Sequence, residues 1–188
     1  REELPGKFNL DPIHDIQVLT PMHKGSVGTI NLNQMLQKAL NPQPVSLEAL
    51  GNAFKIGDKV MHLINNYQKE VYNGDIGIIS SIDRQNKELA VDYYGRTVAY
   101  TADEFDQIST AYAISVHKSQ GSEYPVVIVP LVTQHYVLLQ RNLLYTAMTR
   151  GKKLVILIGT KKALHIALNN DKPHRRLSSL AARIKEPG

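Results

Sequence analysis

The sequence predicts an α/β protein in which a parallel sheet is interrupted by a small antiparallel β-barrel. Three observations carry that reading. Val126-Val-Ile-Val-Pro-Leu131 and Leu154-Val-Ile-Leu-Ile158 are nearly unbroken apolar runs, as expected of parallel strands covered on both faces. Between them, Val137, Leu138, Leu139, Leu143, Leu144, Ala147 and Met148 mark one helix. Residues 54–108 instead offer several short strand-like segments with no helical pattern between them, which suggests a small barrel.

In chain order, Ile16–Thr20 reads as a short apolar strand and Pro21–Gly28 as a loop. Ile30, Leu32, Met35, Leu36, Ala39 and Leu40 then fall near helical spacing. Asn41-Pro-Gln-Pro44 ends that helix, because Pro cannot continue it and biases its predecessor away from helical backbone. Lys59–Ile64, Asp75–Ser80, Glu88–Tyr93 and Thr97–Thr101 read as the barrel strands, punctuated by Asn73-Gly74 and Tyr94-Gly95. Tyr112–Ile114 is a further strand, Lys161–Asn169 a helix, and Arg175–Arg183 a second candidate helix.

Composition narrows the function classes. The 188 residues suffice for one medium domain or two small ones. No segment approaches the ~20 apolar residues of a membrane span, and Arg1-Glu-Glu-Leu-Pro-Gly6 lacks the apolar core of a signal peptide. The absence of an initiator Met points to a piece of a longer protein. No cysteine is present, which excludes disulfides and thiolate chemistry and fits a reducing cytoplasm. The seven histidines form no pair at metal-ligand spacing, so no structural zinc is expected. The net charge of +5 is uneven: residues 150–188 hold ten Lys/Arg against Asp171 and Glu186, while 54–108 hold six against nine Asp/Glu. The C-terminal end is therefore a candidate polyanion surface, or simply a solvated basic helix face.

The segment Ala113-Ile-Ser-Val-His-Lys-Ser-Gln-Gly-Ser-Glu-Tyr-Pro125 is too polar for a core and too tightly flanked by strands for an ordinary surface loop. It reads as a working loop at the edge of the sheet. Ser115–Glu123 resembles motif V of superfamily 1 helicases in the form typical of RecD-like proteins, the family that includes exodeoxyribonuclease V alpha subunits. Leu143-Leu-Tyr-Thr-Ala-Met-Thr-Arg150 resembles their motif VI, and Thr20–Gly28 with Leu32-Asn33 and Asn41-Pro42 their motif IV region. Phe54–Met61, Asn65-Asn-Tyr67 and Val71–Gly77 resemble the Src-homology-3-like insertion of long-form RecD helicases. The four matches keep the family's order. They imply residues 1–50 and 109–188 as the two parts of a second RecA-like, P-loop-NTPase-type motor domain, the latter with a basic tail, and 51–108 as the inserted barrel. Ser115 in place of the usual Thr, His23 in place of an aromatic, and Gly151 in place of Ala depart from the pattern without removing a candidate catalytic group.

The resemblance is to half a motor. The family's ATP site lies between two RecA-like domains, and the first carries the P-loop. No such sequence occurs here, since Gly151-Lys-Lys lacks the upstream Gly and the Ser/Thr. ATP and Mg²⁺ are therefore expected to bind mainly to an absent N-terminal motor domain. Val98–Glu104 looks like a strand leading into a Walker B acidic pair, but it ends the barrel and lacks a P-loop partner; Asp103 is read as capping a short helical turn.

By the resemblance, Arg150 is the arginine finger; a guanidinium suits the charge of phosphoryl transfer. The plainer alternative is a cation favouring a helix C-terminus. Gly121 and Glu123 are placed near the nucleotide, with Glu123 alternatively a capping carboxylate. Lys24, in the Gly25/Gly28 loop, is also assigned to the nucleotide, where it could meet a phosphate, or it lies in a surface turn. Ser115, His117, Lys118 and Ser119 would face single-stranded DNA. Asn66, Tyr67 and Tyr72 would lie on the barrel's strand-contacting face, although a strand Tyr is more often packing.

The resulting expectation is the C-terminal half of an ATP-dependent DNA helicase of repair and recombination, moving 5′ to 3′ by resemblance and inactive alone. Its partners would be single-stranded DNA, the N-terminal RecA-like domain of the same polypeptide, and recombination-complex subunits, with no membrane. The competing reading is a non-enzymatic single-strand-binding or docking module. A nuclease finds no Asp/Glu/Lys cluster at metal-site spacing.

Overall fold

The computed structural model describes residues 3–44, 47–49, 51–133 and 138–171. A short helix, α1 (Glu3–Phe8), precedes β1 (Ile16–Thr20) and α2 (Thr29–Leu40). A small hairpin, β2 (Leu47–Ala49) and β3 (Asn52–Phe54), leads into β4 (Lys59–His62), β5 (Ile76–Asp83), β6 (Glu88–Tyr93) and β7 (Arg96–Tyr100). A 3-10 turn over Ala102–Gln107 connects β7 to β8 (Ile108–Thr110) and β9 (Ala113–Ser115). The remaining elements are β10 (Tyr124–Leu131), α3 (Arg141–Met148), β11 (Gly151–Gly159) and α4 (Lys161–Asn169). The candidate helix over 175–183 and the basic tail beyond Asp171 lie outside the described residues.

Two sheets organise these elements. The first is parallel, ordered β11-β10-β1-β9. Its core gathers Leu19, Val127, Val129, Leu144, Ala147 and Ala163, so the apolar run of β10 is covered as its composition predicts, whereas β11, at the sheet edge, is only half-buried over Leu154–Leu157 and exposes Ile158. The second is antiparallel, ordered β7-β6-β5-β4-β8. A register shift between Ile79 and Ser81 bends β5, and the sheet wraps a core that includes Phe54, Val91, Tyr100 and Phe105. Phe54 and Phe105 meet with ring centroids 6.0 Å apart. Met61 of β4 belongs to the first core rather than the second, so one strand serves both sheets.

Two expectations change. The helix marked from Val137 begins only at Arg141; Leu139 is fully buried but precedes it, and Val137 lies outside the described residues. Apolar spacing there tracked the core, not the helix. Asp103 does not cap the 3-10 turn. Glu104 closes it by accepting from the Thr101 N–H at 3.0 Å and pairs with Lys69 at 2.5 Å, while Asp103 takes the Thr101 hydroxyl at 2.6 Å. The acidic pair is thus committed inside the insertion. The helix expected from the spacing of Ile30 to Leu40 does form as α2; Leu32, Leu36 and Leu40 are half-buried, Ile30 and Met35 are exposed, and the polar Thr29 and Asn33 are buried.

The polar face of α2 positions the site. Thr29, Asn33, Gln37 and Asn41 recur every fourth residue and form one polar stripe. Asn33 pairs with the edge strand as another strand would: its amide donates to Ala113 O and its carbonyl accepts from Ala113 N, both at 2.8 Å. The side chain of a helix residue thereby closes the open edge of β9, the strand that feeds the polar loop.

Candidate functional site

Residues 115–123 are built from their own backbone. Val116 N–H donates to Thr20 O at 3.1 Å, anchoring the loop to the end of β1. Ser119 N–H returns to Ser115 O at 3.2 Å and Ser122 N–H to Ser119 O at 3.1 Å. The Ser119 hydroxyl is buried and donates to Val116 O at 2.7 Å. The expectation that Ser119 faces DNA is therefore corrected, because its one hydroxyl hydrogen is spent inside the loop and no surface of it is open. Ser115 is also buried, its oxygen accepting from Lys118 N–H at 3.3 Å. Gly121 has φ +85°, a left-handed backbone that favours glycine, and it lets the chain turn toward β10.

His117 and Lys118 point outward from this frame and are exposed. Partial burial pushes the Lys118 ammonium below its ordinary range. The loop separates two clefts. One, of about 270 Å³, is lined by His23, Asn33, Ser109, Thr110, Ser115 and Lys118, and so lies between α2, the loop and the inserted sheet. The other, of about 320 Å³, is lined by His117, Gln120, Gln140, Asn142 and Thr146, between the loop and α3.

Arg150, at the end of α3, joins the loop from the other side. Its Nη1 donates to Ser122 O at 3.3 Å, its Nε to Thr146 O at 3.3 Å, and its own carbonyl accepts from Tyr124 N–H at 2.8 Å. Among the described residues no carboxylate pairs with it. Glu123 is half-exposed and pairs with Lys152 at 3.3 Å. It precedes β10 rather than a helix, which removes the capping alternative. The structure thus brings Arg150, Ser122, Glu123 and Lys152 together at the starts of β10 and β11, opposite the cleft of Ser115 and Lys118.

Lys24 is exposed and follows His23, which lines the cleft of Ser115 and Lys118. No contact joins it to Gly121, Glu123 or Arg150 among the described residues. Gly28 closes this loop, since a Cβ there would lie 2.5 Å from Lys24 O. Asn66 is turned to internal use: its carbonyl accepts from Lys69 N–H at 3.1 Å and its amide reaches Gln107 at 3.4 Å. Tyr67 is 74% exposed and meets Tyr72 edge-on at 6.0 Å, a free aromatic surface. Sequence reading missed Lys152, whose charge was counted only toward a basic tail, and the α2 stripe, whose four-residue spacing was present but polar. No group of His, Asp or Glu able to hold a metal occurs among the described residues, and no helix there is long and apolar enough to cross a membrane.

Solved structures share this fold. A Bacteroides Pif1 helicase in complex with ADP-AlF3 and single-stranded DNA aligns with a TM-score of 0.55 at 15% identity, over 89% of this chain and 44% of that one. Two coordinating Pif1 helicases at forked double-stranded DNA give 0.54 at 19% identity, over 80% and 40%. The fold is that of a second RecA-like motor domain of a superfamily 1 helicase carrying a Src-homology-3-like insertion. Sequence comparison narrows the class. Residues 32–93 match the ATP-dependent RecD-like DNA helicase SH3 domain, and residues 110–158 the UvrD-like helicase C-terminal domain. The chain is similar to the ATP-dependent RecD2 DNA helicase of Deinococcus radiodurans, 35% identical over 90% of this chain and 23% of the relative. It is also similar to the RecBCD enzyme subunit RecD of Mycolicibacterium smegmatis, 26% identical over 95% of this chain and 31% of the relative. The chain belongs to the RecD-like family of superfamily 1 DNA helicases, and it spans about a quarter to a third of the length of these two relatives.

Proposed function

We infer that this chain is the C-terminal motor half of an ATP-dependent helicase that moves on single-stranded DNA, 5′ to 3′, in repair or recombination. One observation carries the reading: the Arg150 guanidinium is held against the polar loop through Ser122 O at 3.3 Å and has no carboxylate partner among the described residues. Its charge is therefore available to another anion. In this reading Arg150 is the arginine finger, directed at ATP and Mg²⁺ held mainly by an N-terminal RecA-like domain of the same polypeptide. Gly121 and Glu123 line the nucleotide side. Glu123 can accept from ribose hydroxyls if it exchanges the exposed Lys152 for them, a change of little cost for a surface ion pair.

The cleft lined by His23, Ser115 and Lys118 is the proposed DNA side. Lys118 there, with His117 on the other flank of the loop, supplies phosphate contacts that do not depend on sequence. Ser115 and Ser119 shape the loop beneath them. Lys24, beside His23, is assigned to this side rather than to the nucleotide. Tyr67 offers a stacking surface for a base, and Asn66 holds the Tyr67 loop in place. The division into motor segments 1–50 and 109–188 around an insertion at 51–108 is part of the same proposal, as is the cytoplasm as its compartment. RecBCD-type subunits are a further partner class, by analogy with the RecD subunits to which the chain is similar.

The isolated 188 residues are expected to bind single-stranded DNA in a salt-dependent way and to hydrolyse no ATP above background. The test uses the full-length protein. It should hydrolyse ATP faster with single-stranded DNA and unwind a duplex bearing a 5′ tail but not one bearing only a 3′ tail. Hydrolysis indifferent to DNA would overturn the reading; unwinding from the 3′ tail would overturn its polarity.

A further inference from the structure

Asp58, at the entry to β4, is a fully buried carboxylate remote from the loop. Its two oxygens take four donors. Oδ2 accepts from Gln37 Nε2 at 2.5 Å and Lys55 N–H at 2.8 Å; Oδ1 accepts from Asn41 Nδ2 at 2.8 Å and the Tyr112 hydroxyl at 2.9 Å. A carboxylate accepts about four hydrogen bonds, so its capacity is filled. Burial, and then the Asp58 charge, push the Tyr112 hydroxyl above its ordinary range, so it stays a donor at any working pH.

The donors come from three parts of the molecule. Gln37 and Asn41 belong to the polar stripe of α2. Lys55 belongs to the entry of the insertion, and its ammonium returns to Asn41 O at 3.0 Å. Tyr112 directly precedes β9, whose Ala113 is gripped by Asn33 of the same stripe and whose Ser115 opens the polar loop. The amides of Gln37 and Asn41 also reach into the insertion, to Ala53 O at 2.7 Å and Ile56 O at 3.0 Å. One buried anion therefore ties the inserted sheet, α2 and the strand that enters the loop. A network of this kind is strong when complete and costly when partly broken, so it resists small slippage.

We propose that Asp58 is a positioning residue that clamps the inserted sheet to the motor domain, so that sheet, α2 and the Ser115–Glu123 loop move as one body along DNA. The inference rests on the helicase reading and deepens it. The clamp does not touch nucleotide or DNA. It acts by transmitting the position of the insertion to the loop, and its loss uncouples ATP turnover from strand separation.

The test compares full-length protein with Tyr112→Phe, Gln37→Met and the pair combined, each of which removes donors while keeping side-chain bulk; Asp58→Asn is a fourth variant. The quantity read is base pairs unwound per ATP hydrolysed, with ATP turnover on single-stranded DNA measured alongside. The clamp predicts that the paired variant unwinds about fivefold fewer base pairs per ATP or worse, with turnover on single strands within about twofold of wild type and an unchanged KM for ATP. A merely structural role lowers both activities together, in proportion to the folded fraction. That outcome, or full coupling in the paired variant, overturns the clamp. If Asp58→Asn does not fold, the hydroxyl-only deletion Tyr112→Phe and the paired variant still decide. If wild type itself shows no DNA-stimulated hydrolysis, the helicase reading fails first; if wild type unwinds and the paired variant matches it, only the clamp fails.

Discussion

Asp58 and the 115–123 loop are both dense in polar groups, and they dispose of them in opposite ways. Around Asp58 the donors and acceptors are turned on one another and buried. In the loop, Ser115 and Ser119 are spent on backbone, while His117 and Lys118 are exposed and Arg150 is left without a carboxylate among the described residues. A polar group whose hydrogen bonds are filled inside the protein fixes geometry; one left open on a rigid frame can meet a ligand. The difference separates Ser119 from its neighbour Lys118, and Asn66 from its neighbour Tyr67, although the sequence offered all four as equivalent DNA contacts.

Lys59 breaks the pattern and, with Asn33, gives the largest expected effects on stability. It is 3% exposed, its ammonium donates to Ile16 O at 3.2 Å and lies 5.9 Å from the centre of the Tyr124 ring, and Asp11 and Asp15 act from a distance. Burial lowers its pKa to about 8, with the two aspartates partly opposing. Between that value and the 10.5 of an unfolded lysine, the unfolded chain binds the proton and the folded one does not. Stability from this group is therefore present above pH 10.5 and lost as pH falls through about 8, with a span of about 3 kcal/mol. Lys59→Met should raise stability at pH 7 by roughly 1–3 kcal/mol and flatten its rise from pH 7 to 9.5 in denaturant melts. A loss of stability at pH 7 would show that Lys59 belongs with the satisfied groups instead.

Asn33→Ala tests the committed class. It strips both partners from the Ala113 backbone and should destabilise by about 1–3 kcal/mol, with faster amide exchange along β9. A change near zero would mean the edge is held by something else. Lys118→Ala tests the available class. Its stability should stay within about 0.5 kcal/mol of wild type, while the slope of log DNA affinity against log salt falls by about one unit. An unchanged slope would remove Lys118 from the DNA surface.

Much of the fold was legible because it follows periodicity. The apolar runs of β10 and β11, the ends of β1 and α4, and the turns at Gly74 and Gly95 sit where residue type demands them. The β2–β3 hairpin and β8 escaped notice because three-residue strands carry no period. The polar stripe of α2 went unnoticed because its burial depends on hydrogen bonds to Ala113 and Asp58, partners 80 and 17 to 21 residues away. The same limit applied to the site. Motif spacing located Arg150 and the loop, but whether a hydroxyl looks inward or outward is decided by backbone carbonyls that no residue letter reveals, as at Ser119 and Val116.

The central claim is that Arg150, held by Ser122, completes an ATP site supplied mostly by another domain. The most direct measurement is ATP binding and DNA-stimulated hydrolysis by the full-length protein carrying Arg150→Ala. The account predicts ATP affinity within a few-fold of wild type and a fall in turnover of about a thousandfold or more, as expected when an arginine finger is lost. Turnover within about tenfold of wild type would contradict it, and would return Arg150 to the lesser role of a cation at a helix end.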